Sequence, residues 1–425
     1  MTRIFIATNP GFFNKGDAAI LQGTIKGLRE IDAEIDISLL SVTPGFDSQR
    51  CDIRIVCSQN TGNLFTRALK IVLSPAQHIL LALLWRTTGL RVDKRIVLKG
   101  DVLEEYFKAD LIIAGLDDSF TTLYGPRPFM ANLYSVLMAK ILRKKIVLYG
   151  SSIGPFTNRI YDLLGKLIVD SADLVTLREH KSSEYLRKIG VRNPNIHITS
   201  DLAFYLGTKP RQDIMELMQK ENITKYGGPL IGVSMSRVIA NRSFPEIQDK
   251  KIKNKQFTKT LSEILDDITK RLNGTIVFIP HSIGPNKEND DMIIQKEIYQ
   301  LMKFKESVVL IEKEYTPEEL RGLIGQMDLL IGARTHAVIS AASTHVPFIA
   351  LEYESFKTNG ILGVMLGCEK QIYNIKDFSK DSLDKLINET WDKREEIHKH
   401  LEIVSNDITN RTKSNVRYIK ELIEQ

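Results

Sequence analysis

The chain of 425 residues predicts an α/β protein built from two Rossmann-like domains. Three observations carry that reading. Short β-branched runs alternate with longer segments of helical period through the first half, a polar stretch then breaks the pattern, and a second series of the same kind comes after it. The length agrees, being too great for one ordinary core and suited to about two or three domains.

In chain order, strands are expected at 3–7, 35–41, 53–56, 111–114, 146–149, 174–176 and 196–198. Helical periods lie between most of them, which implies a parallel sheet covered on both faces. Residues 1–207 make up this N-terminal domain, and 208–229, ending in Tyr226-Gly-Gly-Pro229, reads as a linker. The C-terminal domain, 230–378, has strands expected at 230–234, 275–279, 308–311, 329–331 and 348–351. Ligands of such sheets bind beyond the strand C-termini, so the two C-terminal faces are expected to enclose a cleft. Two long polar loops, 237–256 and 282–291, leave strand ends of the second domain, where lids and acceptor contacts belong. The tail, 379–425, reads as mostly polar helix with apolar positions spaced for packing on the body.

Composition narrows the partners. The net charge of +6 suits acidic small molecules or an anionic membrane surface. No basic stripe interleaved with aromatics is present, so nucleic acid is not expected. Cys51, Cys57 and Cys368 form no CxxC and have no nearby His pair, which argues against a disulfide framework or a zinc site and fits a reducing compartment. The chain opens on a strand rather than an export-type head, so a cytoplasmic location is expected. The apolar segment from Leu69 to Leu90 is interrupted by Ser74, Pro75, Gln77 and His78 and is too short to span a bilayer. Its basic flanks leave two readings: a buried core helix with solvated ends, or an interfacial helix that would place the protein peripherally on the inner face of an anionic membrane.

The best active-site candidate is Gly332-Ala-Arg-Thr-His-Ala337, directly after an apolar run. A strand there delivers Arg334 and His336 onto a turn that opens a helix, where backbone N–H groups favour an anion. The bland alternative pairs Arg334 with a helix-end carboxylate and leaves His336 an ordinary buried imidazole. Gly11 and Gly16 in the turn after the first strand permit close backbone approach, and Asp17 is either a helix cap or a functional carboxylate. Arg237 follows a second-domain strand and could join Arg334 on one anion, with His281 at another strand end and Lys357 as a further cation. Asn9 and Ser152 sit in turns and could bind an acceptor. Arg178-Glu179 is expected to be a surface ion pair.

Taken in order, GFFNKGDAAIL (11–21), YGSSIGPF (149–156), TSDLAF (199–204), GVSMSR (232–237), FIPHS (278–282) and GARTHAVISAAS (332–343) resemble the polysaccharide pyruvyl transferase family. The resemblance covers nearly the whole chain. Ala18 and Ala114-Gly-Leu-Asp-Asp118 depart from the family pattern, which usually has an acidic residue and a glycine-rich turn there. It implies a fold similar to the two-domain GT-B glycosyltransferases and a transferase that moves the pyruvyl group of phosphoenolpyruvate onto a sugar of a glycan or lipid-linked glycan precursor. No cofactor and no metal would be needed. In that reading Arg334 and Arg237 grip the donor, His336 is the acid and Asp17 the base. Phosphoenolpyruvate falls to the C-terminal domain and the acceptor to the N-terminal one. Two rivals remain: a nucleotide-sugar glycosyltransferase, in which Arg334 and Glu352 grip a diphosphate and a ribose, and a non-catalytic glycan- or membrane-associated scaffold.

Overall fold

The computed structural model describes residues 1–8, 11–57, 64–88, 102–223, 228–353 and 356–425. The chain divides into two compact units that are not continuous in sequence. Unit 1 comprises Met1–Phe12, Ile20–Leu202 and Arg411–Gln425, and unit 2 comprises Phe13–Ala19 and Ala203–Asn410.

Among the described residues, unit 1 holds a seven-stranded parallel sheet in the order β3-β2-β1-β4-β5-β6-β7. The strands are β1 (Arg3–Ile6), β2 (Asp36–Ser41), β3 (Arg54–Cys57), β4 (Leu111–Ala114), β5 (Lys145–Ser151), β6 (Leu174–Leu177) and β7 (Ile196–Ile198). Unit 2 holds six parallel strands in the order β10-β9-β8-β11-β12-β13. These are β8 (Leu230–Ser234), β9 (Thr275–Phe278), β10 (Val308–Leu310), β11 (Leu329–Gly332), β12 (Phe348–Glu352) and β13 (Ile372–Asn374). Both sheets reverse their order of winding once, between β1 and β4 and between β8 and β11, the arrangement that opens a binding crevice at the strand C-termini. The central strands read LIIA, TIVF and LLIG because helices cover both faces, and each of their residues is buried.

Several expectations shift. Part of the expected linker forms the helix Arg211–Lys220, within unit 2. The Lys-rich end of the expected loop 237–256 is the first turn of the helix Lys250–Leu272, started by Asp249, whose side chain accepts from the backbone N–H groups of Lys251 and Ile252. The short β13, with only three residues, carries too little pattern to stand out in the sequence. In the tail, the helix Lys380–Asp392 buries Leu383 and Ile387, and the helix Arg394–Glu424 buries Leu401, Ile408 and Ile419.

Arg178 and Glu179 are not on the surface. Both are fully buried at the end of β6, where Arg178 Nη1 donates to Asp201 Oδ2 at 2.7 Å and Nε donates to Ser152 Oγ at 2.8 Å. Burial opposes the guanidinium charge, but Asp201, Asp118 and Asp117 outweigh it and hold it protonated. Glu179 instead caps the helix His180–Lys188, accepting from Ser182 N. A strand buried along its whole length carries the next residues of the chain into the interior, and a buried charge must then find a partner there.

Candidate active site

Unit 2 gathers most of the expected residues at the C-terminal ends of β9 and β11. Gly332 ends β11; a Cβ there would lie 2.6 Å from Val338 Cγ2, so the turn into the helix Thr335–Ser343 closes only around glycine. That turn presents Arg334 at the helix N-cap and His336 in the first turn. The first N–H groups of a helix have no intrahelical acceptor and favour an anion.

Arg334 is met by a carboxylate that the sequence did not single out. Its Nε donates to Asp291 Oδ1 and Oδ2 at 3.2 and 3.1 Å, and Nη2 donates to Oδ1 at 2.7 Å. Asp291 opens the helix Asp291–Leu301 and is buried, with its Oδ2 also accepting from the backbone N of His281 and Ser282. The alternative pairing with a helix-end carboxylate is therefore present. It leaves Nη1 of Arg334 with no hydrogen-bond partner among the described residues. Burial works against the Arg334 charge, and Asp291 first, then Tyr353 and Asp17, keep it protonated.

His281 follows β9 and is buried. Desolvation, then His336, Arg334, Arg321 and Lys15, push its imidazole down to about 3. It is neutral at pH 7, a hydrogen-bonding group rather than a charged one, and its Nδ1 has no partner among the described residues. The segment Phe13–Ala19 lines the same place. Ile283 N donates to Phe13 O at 3.0 Å and Lys15 N donates to His281 O at 2.8 Å. Lys15 is buried and its Nζ meets Glu314 Oε1 at 2.6 Å. A Cβ on Gly16 would fall 2.1 Å from His336 Nδ1, so glycine is what lets the imidazole lie against this turn. Asp17 is half-buried in the first turn of the helix Lys15–Ile31.

The remaining expected residues divide. Lys357 directly precedes Thr358, whose hydroxyl lies 2.9 Å from that of Thr335 at the start of the Arg334 helix. Arg237 follows β8, the neighbour of β11, but its Nη2 donates to Glu297 Oε1 at 2.8 Å. With Lys250, Lys251 and Lys255 it lines a cavity of about 470 Å³. No described contact joins it to Arg334. Ser152 lies in unit 1 with its hydroxyl committed to Arg178, and Asn9 is outside the described residues. Among the described residues no His, Cys, Asp and Glu group could hold a metal ion.

Asp291 was the main omission. Its only signal was a capping pattern, Asp290-Asp291 ahead of an apolar run, and nothing in the sequence ties that position to an arginine 43 residues on.

The comparisons with known proteins agree with this frame. The family model described as polysaccharide pyruvyl transferase matches residues 14–355. Amylovoran biosynthesis protein AmsJ of Erwinia amylovora is 22% identical over 410 residues, covering 94% of each chain. MnaA of S. aureus, solved with UDP, superposes with a TM-score of 0.60 at 13% identity over 100% of this chain and 97% of its own. The UDP-GlcNAc 2-epimerase of Neisseria meningitidis bound to UDP-GlcNAc gives 0.59 at 13% identity over 99% of both chains. HepE of Anabaena in complex with UDP gives 0.56 at 12% identity over the whole of both. These likenesses concern the fold, which is of GT-B type. The family match takes in β8 to β12, the Gly16 turn, Asp291, Arg334 and His336, and on that span the chain belongs to the polysaccharide pyruvyl transferase family, a family of transferases.

Proposed function

We propose that the protein moves the pyruvyl group of phosphoenolpyruvate onto two hydroxyls of one sugar in a polysaccharide or glycan precursor, as a ketal, and releases phosphate. Family membership and the name of the AmsJ relative support a role in polysaccharide synthesis. The observation that carries the donor is Arg334, held by buried Asp291 at a helix start with Nη1 uncommitted among the described residues, beside neutral His281 and with His336 two residues on. A donor bearing both a carboxylate and a phosphate needs cationic and N–H donors fixed in place before it arrives.

The steps derive from the donor's chemistry. His336 gives a proton to the enol methylene, which makes the central carbon electrophilic. One sugar hydroxyl adds to that carbon and passes its proton to Asp17. The bond to phosphate breaks, phosphate leaves with the electron pair, and the second hydroxyl closes the ketal as its proton departs with phosphate. Lys357 adds positive charge for the donor's anionic groups, whereas Arg237, held by Glu297, lines a cavity that takes in none of the residues around Arg334.

Incubation with phosphoenolpyruvate and candidate glycan precursors should release phosphate and add one pyruvyl ketal to the acceptor mass. Thermal stabilisation by nucleotide sugars and none by phosphoenolpyruvate would overturn the proposal in favour of a glycosyltransferase. Stabilisation by neither, with no phosphate released, would favour a scaffold.

A further inference from the structure

One face of unit 1 carries apolar side chains that its core does not use. The helix Leu64–Thr88 turns Ile79, Leu81, Ala82 and Trp85 toward the core but exposes Leu80, Leu83 and Leu84, the last two at 42% and 47%. Its neighbour, the helix Pro126–Ile141, exposes Met130 and Leu137, and the next, Arg159–Ser171, exposes Ile160, Leu163 and Leu167. The three lie side by side. His78 Nδ1 is 2.7 Å from Tyr134 Oη across the first pair, and the Phe129 and Tyr161 rings meet at 5.0 Å across the second. Right-handed crossovers from β3 to β4, β4 to β5 and β5 to β6 all move in one direction along the sheet, so all three helices cover the same side of it. Exposed residues at spacings of three, four and seven line the outer surface of each helix.

The charge on this face is predominantly positive. Arg86, Arg127 and Arg159 are exposed and make no ion pair among the described residues. The first two helices contain no Asp or Glu, and the third has only Asp162, which accepts from Tyr185 Oη, and Asp170, which is held by Lys166. Contiguous exposed apolar area on this scale marks an interaction surface. A second copy of the chain is a poor occupant, because a two-fold pairing of this face sets unpaired arginines against a surface that offers them no free carboxylate.

We propose that this three-helix face of unit 1 binds an anionic lipid bilayer, its leucines and isoleucine entering the headgroup boundary while the arginines meet the lipid charge. Apolar burial and electrostatic attraction add in such binding, and neither alone holds a protein firmly. Among the described residues no helix is long and apolar enough to cross a membrane, so the contact is one of lying on the surface. The inference is independent of the transfer chemistry.

The test is co-sedimentation of the full chain with vesicles of phosphatidylcholine alone and of phosphatidylcholine mixed with phosphatidylglycerol, with no substrate present. Binding to the anionic vesicles should exceed binding to neutral ones by about tenfold or more and fall as salt rises. Leu83→Ser with Leu84→Ser, and separately Ile160→Ser with Leu163→Ser, should each reduce it by about tenfold with thermal unfolding little changed. Arg86→Gln, Arg127→Gln and Arg159→Gln together should bring it down to the neutral-vesicle level, and these surface changes keep the test open if a serine variant fails to fold. Equal binding to both vesicle types, or folded variants that bind as before, would overturn the proposal. So would a dimer in solution that the serine variants dissociate in a chain that ignores vesicles, since the face would then pair copies of the protein.

Discussion

Arg334 takes its orientation from Asp291, whose two oxygens receive Nε and Nη2 and leave the other edge of the guanidinium directed elsewhere. Arg334→Ala should therefore weaken phosphoenolpyruvate binding by about 2–4 kcal/mol, measured by titration, and Arg334→Lys should restore little because an ammonium lacks the planar fork. Asp291→Asn should raise KM for the donor more than it lowers kcat, since Asp291 positions the arginine and does not itself meet the donor. His336 stands in a different relation to the reaction. His336→Ala should cut kcat by about 10²–10⁴-fold and leave donor affinity within several-fold. A proportional loss of affinity and turnover would make it a binding residue. His281 should be visible in stability rather than rate. Its folded pKa is depressed from 6.5 to about 3, so between those values the unfolded chain takes up a proton that the folded one refuses. Stability should be full above the upper value and fall as pH drops through the window, and His281→Gln should flatten that acid-side decline in Tm relative to wild type.

At the scale of elements, the C-terminal ends of β6 and β7 are tied by a charge pair with no access to solvent. Arg178 and Asp201 are both fully buried and 2.7 Å apart. Arg178→Met should destabilise the protein by about 3–5 kcal/mol in equilibrium denaturation, because it removes the guanidinium that faces the buried Asp201 carboxylate. Adding Asp201→Asn should recover part of that loss, and equal additive losses would show that the two do not act as a pair. The strands themselves were legible because a sheet buried on both faces demands unbroken apolar runs, and runs such as Leu111–Ala114 have little other use. The pair was not, since Arg178-Glu179 after a strand looks the same whether the next turn faces water or the interior. The start of the helix at Lys250 was hidden for a similar reason: its lysines suit an exposed helix turn as well as a loop.

For the whole molecule, the last helix decides where unit 1 ends. Thr412, Asn415 and Ile419 are fully buried; Asn415 Nδ2 donates to Ser200 O at 3.1 Å, and the Tyr418 ring stacks on His197 of β7 at 3.9 Å. Removing 411–425 should lower stability by about 3 kcal/mol or more and expose the end of β7 to proteolysis, which thermal unfolding and limited digestion would register. A tail read from its periodicity was expected to pack on the body, but periodicity says that a face is buried and not against what. The same division runs through the candidate site. By itself the sequence determined the two parallel α/β sheets, the strand end carrying Arg334 and His336, and the Gly16 turn, because hydrophobic period and glycine placement are local properties. Only the tertiary structure decided that Phe13–Ala19 groups with unit 2, that Asp291 holds Arg334 and that His281 is neutral. Those are contacts between residues far apart in the chain, and their strength depends on a burial that no single segment encodes.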